Sequence, residues 1–176
     1  MGIGIPIQMT VRKNPHHLQI TRTWFEKKYL FLIPFVLAWD AFLFLLCKLT
    51  FSAPKADVFV ILFLSLFLLV GVGTNYFMLA DCLNTTTINV TSNVILIKHS
   101  PIPVWGNKRI SSKELLQLEC KKTSVRHGFY WVDAFSVLAK KKDQETITLL
   151  FGLRKVEQAL FIKQEVEHFL DIVQKA

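Results

Sequence analysis

Cys120 and His127 are the first residues to test for chemistry, because a thiol beside an imidazole is the minimum of a nucleophile and its base. They stand seven residues apart across an expected turn, which gives the two side chains little reason to meet. The sequence has no glycine-rich phosphate loop, no nucleophile elbow and no His-Glu metal motif, so no catalytic residue and no cofactor is expected. His16 and His17 are adjacent in a polar segment with a proline, with no Cys, Asp or Glu close by, and read as turn residues rather than metal ligands. Cys47, Cys82 and Cys120 follow neither disulfide nor metal spacing, and an odd, unpatterned count fits a reducing compartment.

Asp40 is the most unusual acid, set in the apolar run Val36-Leu37-Ala38-Trp39-Asp40-Ala41-Phe42. A carboxylate at the middle of a bilayer costs about 2.5 to 3.5 kcal/mol, so it is expected to be protonated, paired or turned toward a polar neighbour. One reading makes it part of a helix contact. The other makes it the centre of a small proton or ion transport subunit, against which stands the lack of a second ionisable residue in the facing apolar run. That run offers Ser65, Gly71, Gly73, Thr74 and Asn75, small or polar residues that let a helix, or a second copy of the protein, approach closely. In an antiparallel pair, Asp40 should lie level with Phe67 or Leu68, with Ser65 and Gly71 within a turn and Asn75 farther off unless the helices are offset.

The remaining functional candidates are cations. They cluster as Lys98 with His99, Lys108 with Arg109, Lys121 with Lys122, Arg126 with His127, and Lys140-Lys141-Lys142. Beside an anionic leaflet each Lys or Arg near the surface contributes about 1 kcal/mol, which makes lipid headgroups or an acidic partner the expected contact. Solvated turns and strand edges account for such lysines equally well. Nucleic acid is not expected, because the domain's excess of four positive charges is modest and no recognition motif occurs. Trp105 and Trp131 are assigned to the core rather than to stacking platforms.

What positions these residues is a change of periodicity along the chain. Residues 29–49 and 58–80 are two apolar runs, each about the 20 residues that carry a helix across hydrocarbon, separated by a break long enough only for a tight turn. With 52% hydrophobic residues and 15 Phe in 176, the composition is that of a membrane protein. Lys and Arg exceed Asp and Glu by four on each flank, so the positive-inside rule puts both termini in the cytoplasm. Trp24 to Tyr29 reads as an interface anchor, and Pro34 should bend the first helix. No cleavable signal is expected in residues 1–28, and the sequons at Asn84 and Asn89 are expected to be unused on that side.

Outside the apolar runs the pattern is that of strands. Residues 3–11 and 18–22 read as a β-hairpin around a polar loop, and such a hairpin, marginal alone, should pack on the C-terminal domain. Residues 85–90 and 94–99 read as a second hairpin with Ile88, Val90, Ile95, Leu96 and Ile97 as core candidates, and the prolines and glycine of 100–107 interrupt it. Further strands are expected at 108–111, 115–122, 129–139 and 145–151. Val156, Ala159, Leu160, Ile162, Val166, Phe169, Leu170 and Val173 then recur at helical spacing, an amphipathic helix over about 156–173 that can close an open barrel end.

Strands followed by one helix, anchored by a two-helix membrane hairpin, resemble the bacterial pleckstrin-homology-like (PH-like) domain membrane proteins. The text that carries the resemblance is Thr87-Ile88-Asn89-Val90, Pro101 to Ile110, Leu115 to Leu118 and Leu150-Phe151-Gly152-Leu153, with Arg22-Thr23-Trp24-Phe25 and Trp39-Asp40 outside the domain. The expected fold is therefore an α+β membrane protein. Residues 1–28 give a cytoplasmic β-hairpin and interface anchor, 29–80 a transmembrane hairpin, and 81–176 a PH-like curved antiparallel sheet or barrel closed by the C-terminal helix. The resemblance implies an adaptor-like role at a bacterial inner membrane and transfers no catalytic residue. The expected function is docking of a protein partner or of anionic lipid headgroups, in assembly or regulation of a membrane complex.

Overall fold

Alternation of apolar and polar residues over 9–23 and 85–111 builds one sheet, and over 115–153 a second. The computed structural model describes residues 4–52, 57–127 and 130–172, with side chains throughout except at 125–132. The strands are β1 (Met9–Asn14), β2 (His17–Thr23), β3 (Thr85–Val90), β4 (Val94–Ser100), β5 (Lys108–Ser111), β6 (Leu115–His127), β7 (Tyr130–Lys141) and β8 (Thr146–Leu153). The helices are α1 (Tyr29–Ser52), α2 (Val58–Leu83) and α3 (Val156–Phe169). The chain falls into two units, residues 4–23, 85–100 and 104–172 in one and 24–84 with 101–103 in the other.

In the first unit, β1 to β5 form a five-stranded antiparallel sheet in chain order, and β6-β7-β8 form a three-stranded one. The N-terminal hairpin does pack on the later strands, by main-chain pairing: β2 runs beside β3, with Leu18 opposite Val90 and Ile20 opposite Ile88. Its turn is tighter than the sequence suggests, only Pro15 and His16, because Arg12 to Asn14 continue the ladder as an exposed polar edge strand. Core residues come from alternate positions of both sheets: Leu18, Ile20, Ile88, Val90, Ile95 and Ile97 meet Leu118, Val137, Leu149 and Leu153. Each such side chain, once buried, contributes about 1.5 to 3 kcal/mol. Leu96, expected in the core, is exposed, since Ile95 and Ile97 take the inward positions and the pleat turns the residue between them outward.

The two sheets are not a closed barrel. β5 has four residues and gives way to a one-turn 3-10 helix at Ser112–Glu114, after which the chain starts the second sheet. Between β5 and β8 the link is a side chain, the Lys108 ammonium donating to the Thr148 carbonyl, rather than a ladder. α3 contacts β2, β6, β7 and β8 and buries Ala159, Phe161, Ile162 and Val166. Phe161 takes a core place that the sequence assigns to Val156 and Leu160, both of which lie at the rim. α3 also buries Glu167, whose carboxylate accepts a hydrogen bond from the Leu118 amide at 3.0 Å, beside the irregularity where β6 shifts register between Leu115 and Gln117. Val173 and the side chain of Trp131 lie outside the described residues, as do residues 53–56 of the break in which the sequence expects a tight turn.

In the second unit, α1 and α2 are each long and apolar enough to cross a membrane, with mean hydropathy 2.4. They run antiparallel in contact: the Tyr29 hydroxyl donates to Asp81 at 2.7 Å, and Trp39 stacks on Phe67. Tyr29, Val36 and Leu43 recur every seven residues along the buried seam of α1, and Leu64 and Gly71 do so on α2, the spacing of left-handed helix pairs. Gly71 allows a close approach there: a Cβ at this position would stand 2.9 Å from Leu43 Cδ1, so the end of the Leu43 side chain would have to turn aside. α1 is continuous through Pro34. α2 starts at Asp57, whose carboxylate caps the Phe59 amide at 2.8 Å, and ends at Asn84. Asn84 is buried, accepting from Ile102 N at 2.7 Å and donating to Ile102 O at 2.9 Å, so this sequon amide has no free face for a glycan.

Candidate functional site

The β1–β2 turn, the β3–β4 turn, the 3-10 turn, the β7–β8 turn and the end of α3 converge at one end of the first unit. There they enclose a groove of about 540 Å³. Leu115, Leu116, Phe169 and Ile172 are among its apolar lining residues, and His16, Lys113 and Lys142 line it with them. Among the described residues neither lysine is in an ion pair. Asp171, held at φ 51 where α3 ends, adds one acid at the same mouth. Next to it Lys13 reaches His168, with Nζ 3.2 Å from Nδ1. Two ammonium groups outside any ion pair among the described residues, in a groove that also has apolar lining, can hold an anionic group that has an apolar neighbour in the same ligand.

In β2 and β3 this end is opposite the one where the chain connects to α1 and α2. The chain leaves for α1 after Thr23 and returns from α2 at Thr85, whereas His16 and Ser92 stand at the other ends of β2 and β3. Six or seven residues of strand, about 20 Å, separate the groove from the tether points.

The cations singled out in the sequence are dispersed. Lys98 and Arg109 are exposed on the outer face of the five-stranded sheet, in the cross-strand rows Thr10–Thr21–Thr87–Lys98 and Arg12–Gln19–Asn89–Leu96–Arg109. Lys108 points the other way and is held by Thr148, as described. Lys121 and Lys122 project to opposite faces of β6, and Lys122 pairs with Asp133 at 2.7 Å. Lys140 is half-buried between Gln117 and Thr146. Lys141 is ion-paired with Glu145 at 2.5 Å and lies 3.9 Å from Glu114, and the Glu145 hydrogen bond holds its ammonium pKa above the usual value. Of the run 140–142 only Lys142 reaches the groove. The side chains of Arg126 and His127 lie outside the described residues. Lys113 and His16 are the basic lining residues that sequence patterning did not select. Neither lies in a charge cluster, and only the meeting of four turns makes them neighbours.

Cys120 faces the core side of β6, half-buried. Burial pushes its thiol pKa up, with Lys163 pulling it back and Glu167 adding to the rise, which keeps it a protonated and therefore poor nucleophile at neutral pH.

In the helix pair, Asp40 is paired. Asn75 Nδ2 donates to Asp40 Oδ1 at 2.9 Å and shares its second bond with the Gly71 carbonyl at 3.0 Å. The sequence put Asn75 too far away because it counted Cα levels. Side chains on a helix lean toward its N-terminus, and in an antiparallel pair that tilts Asp40 and Asn75 toward each other. Ser65 instead donates to Ile61 O of its own helix at 2.7 Å. Asp40, Leu43 and Cys47 on α1 and Leu68, Gly71 and Asn75 on α2 line a shallow groove of about 230 Å³ along one flank of the pair.

Compared with protein-family models and with curated proteins, the chain matches none of either.

Proposed function

We propose that this chain is a membrane-anchored docking module of PH-like fold. α1 and α2 span a bacterial inner membrane with both chain ends in the cytoplasm, and the two-sheet unit takes an acidic, partly apolar segment of a protein partner in its groove. Two sheets followed by one C-terminal helix support the PH-like reading, and the length and hydropathy of α1 and α2 support the anchor. The observation that carries the docking role is the groove itself, lined by Lys113 and Lys142 together with apolar residues at the end of the strands opposite the tether. That distance favours a partner segment over headgroups of the chain's own bilayer. No reaction is part of this reading.

Amine-acylation footprinting of Lys113 and Lys142 in the full-length protein tests it in three settings: zwitterionic nanodiscs, nanodiscs with phosphatidylglycerol, and native membranes. Protection in native membranes alone supports a protein partner. Protection by phosphatidylglycerol transfers the groove to lipid, and equal labelling in all three removes the docking role.

The flank groove gives the helix pair a part in assembly. Asp40 and Asn75 line this groove as a hydrogen-bonded pair, and a second copy seated there brings the same donor and acceptor residues. Cys47 lines the same groove, so in the Cys82→Ser, Cys120→Ser background oxidation should give a disulfide-linked dimer in membranes. A monomer under those conditions removes self-association through this face.

A further inference from the structure

The sequence places Trp105 in the core, and the structure exposes it completely, at 101% of its reference surface. A fully exposed indole is the least expected position for this residue, the largest apolar side chain there is. Its surroundings give the reason. Between His99 and Lys108 the chain reads Ser-Pro-Ile-Pro-Val-Trp-Gly-Asn, without a charge. The loop is built rather than slack. Asn84, at the end of α2, grips the main chain of Ile102 with two hydrogen bonds, and the Tyr76 hydroxyl donates to the Pro103 carbonyl. Tyr76 lies eight residues back from Asn84, about 12 Å along the helix, and its long side chain reaches the residue next to the one Asn84 holds, so Ile102 and Pro103 are both fixed to α2 near its C-terminal end. Trp105 follows two residues on. The return is fixed as well: Gly106 turns the chain at φ +117, and the Asn107 carboxamide oxygen accepts from His99 N at 2.7 Å.

We infer that the 100–107 loop is a third membrane contact of this chain, with Trp105 inserted at the headgroup and acyl-chain boundary. The inference rests on the reading of α1 and α2 as bilayer-spanning. The ligand is lipid because the loop tip, Pro103, Val104 and Trp105, carries no charge and one side-chain donor, the indole N–H, and an amphipathic indole is the side chain that favours the interface.

The test is tryptophan quenching in vesicles of brominated phosphatidylcholine, on the full-length protein. Because Trp105 is fully exposed, Trp105→Phe should leave the fold unchanged, and the wild-type minus variant difference isolates its emission. Trp39, in the middle of α1 and stacked on Phe67, is the internal reference through Trp39→Phe. The expected result is a blue-shifted Trp105 difference spectrum, lost when bromines are placed near the headgroups and insensitive to aqueous iodide. Trp105 emission quenched by iodide and untouched by bromolipid, with Trp39 quenched by bromines deep in the chains, overturns the inference while leaving the spanning helices in place. If bromolipid quenches neither residue, the membrane reading fails and takes this inference with it.

Discussion

Thr23 pairs with Thr85 in the five-stranded sheet, although the whole helix pair lies between them in the chain. The hydrogen-bonded ladder is continued one step farther, with Trp24 N donating to Asn84 O at 3.0 Å. The helices are thus an insertion at what would otherwise be a hairpin turn, and the strand unit is discontinuous in sequence.

It follows that residues 24–84 can be replaced by Asn-Gly, the pair that best closes a two-residue hairpin. The shortened protein should be soluble and β-rich by circular dichroism, and it should unfold in one cooperative transition. A fragment beginning at residue 81 should fail, since it lacks β1 and β2 and uncovers Ile88 and Val90. An aggregated Asn-Gly product would show instead that the sheet depends on the helices.

Gly71 sets the closeness of α1 and α2. Gly71→Ala should cost little in thermal stability in detergent, because the atom it meets is the end of the Leu43 side chain, which can turn. Gly71→Leu should cost about 1 to 3 kcal/mol by overpacking and break the Asp40–Asn75 hydrogen bond. Equal midpoints for Gly71→Leu and wild type would remove the tight seam.

Much of this architecture was legible in the sequence, and the exceptions have physical causes. Both apolar helices were visible to within three residues, because length and hydropathy alone define them. The pairing of β3 with β4 is legible from two short strand-like runs around Thr91-Ser92-Asn93, whereas Leu96 is not, because a run of four apolar residues, Val94 to Ile97, hides which parity faces inward. The barrel failed at β5, where four residues cannot carry a ladder to β8. The groove was invisible for a different reason: its lining comes from turns far apart in the chain, and no spacing within one segment encodes their meeting. Trp105 was misread because composition predicts burial for an indole, and only the tether of its loop to Asn84 and Tyr76 explains its exposure.

Glu167 holds α3 to the second sheet through the Leu118 amide. Glu167→Ala should destabilise by about 1 to 3 kcal/mol, the cost of leaving a buried amide unpaired. Glu167→Gln, which keeps an acceptor oxygen, should recover most of it. Denaturant titration of the helix-deleted protein, or of the full chain in detergent, measures both; an alanine variant as stable as wild type would mean water replaces the carboxylate.

His99 makes stability depend on pH. The ring is half-buried, with Nδ1 2.9 Å from Thr86 Oγ1, and burial lowers its pKa; a backbone hydrogen bond with Gly106 pulls it partly back, and the Arg22 charge lowers it further. In the unfolded chain His99 takes up a proton near the ordinary value of about 6.5, while the folded state resists it. The unfolded state then binds more protons, so stability should fall as pH drops below about 6.5 and level off once the folded ring also titrates. Thermal midpoints measured from pH 8 to pH 5 should show this slope, and His99→Gln should flatten it. Gly106→Ala should destabilise at every pH by about 1 to 3 kcal/mol, because φ +117 strains any side chain and its Cβ would stand 2.8 Å from His99 Nε2. A slope that survives in His99→Gln would assign the pH dependence to other groups.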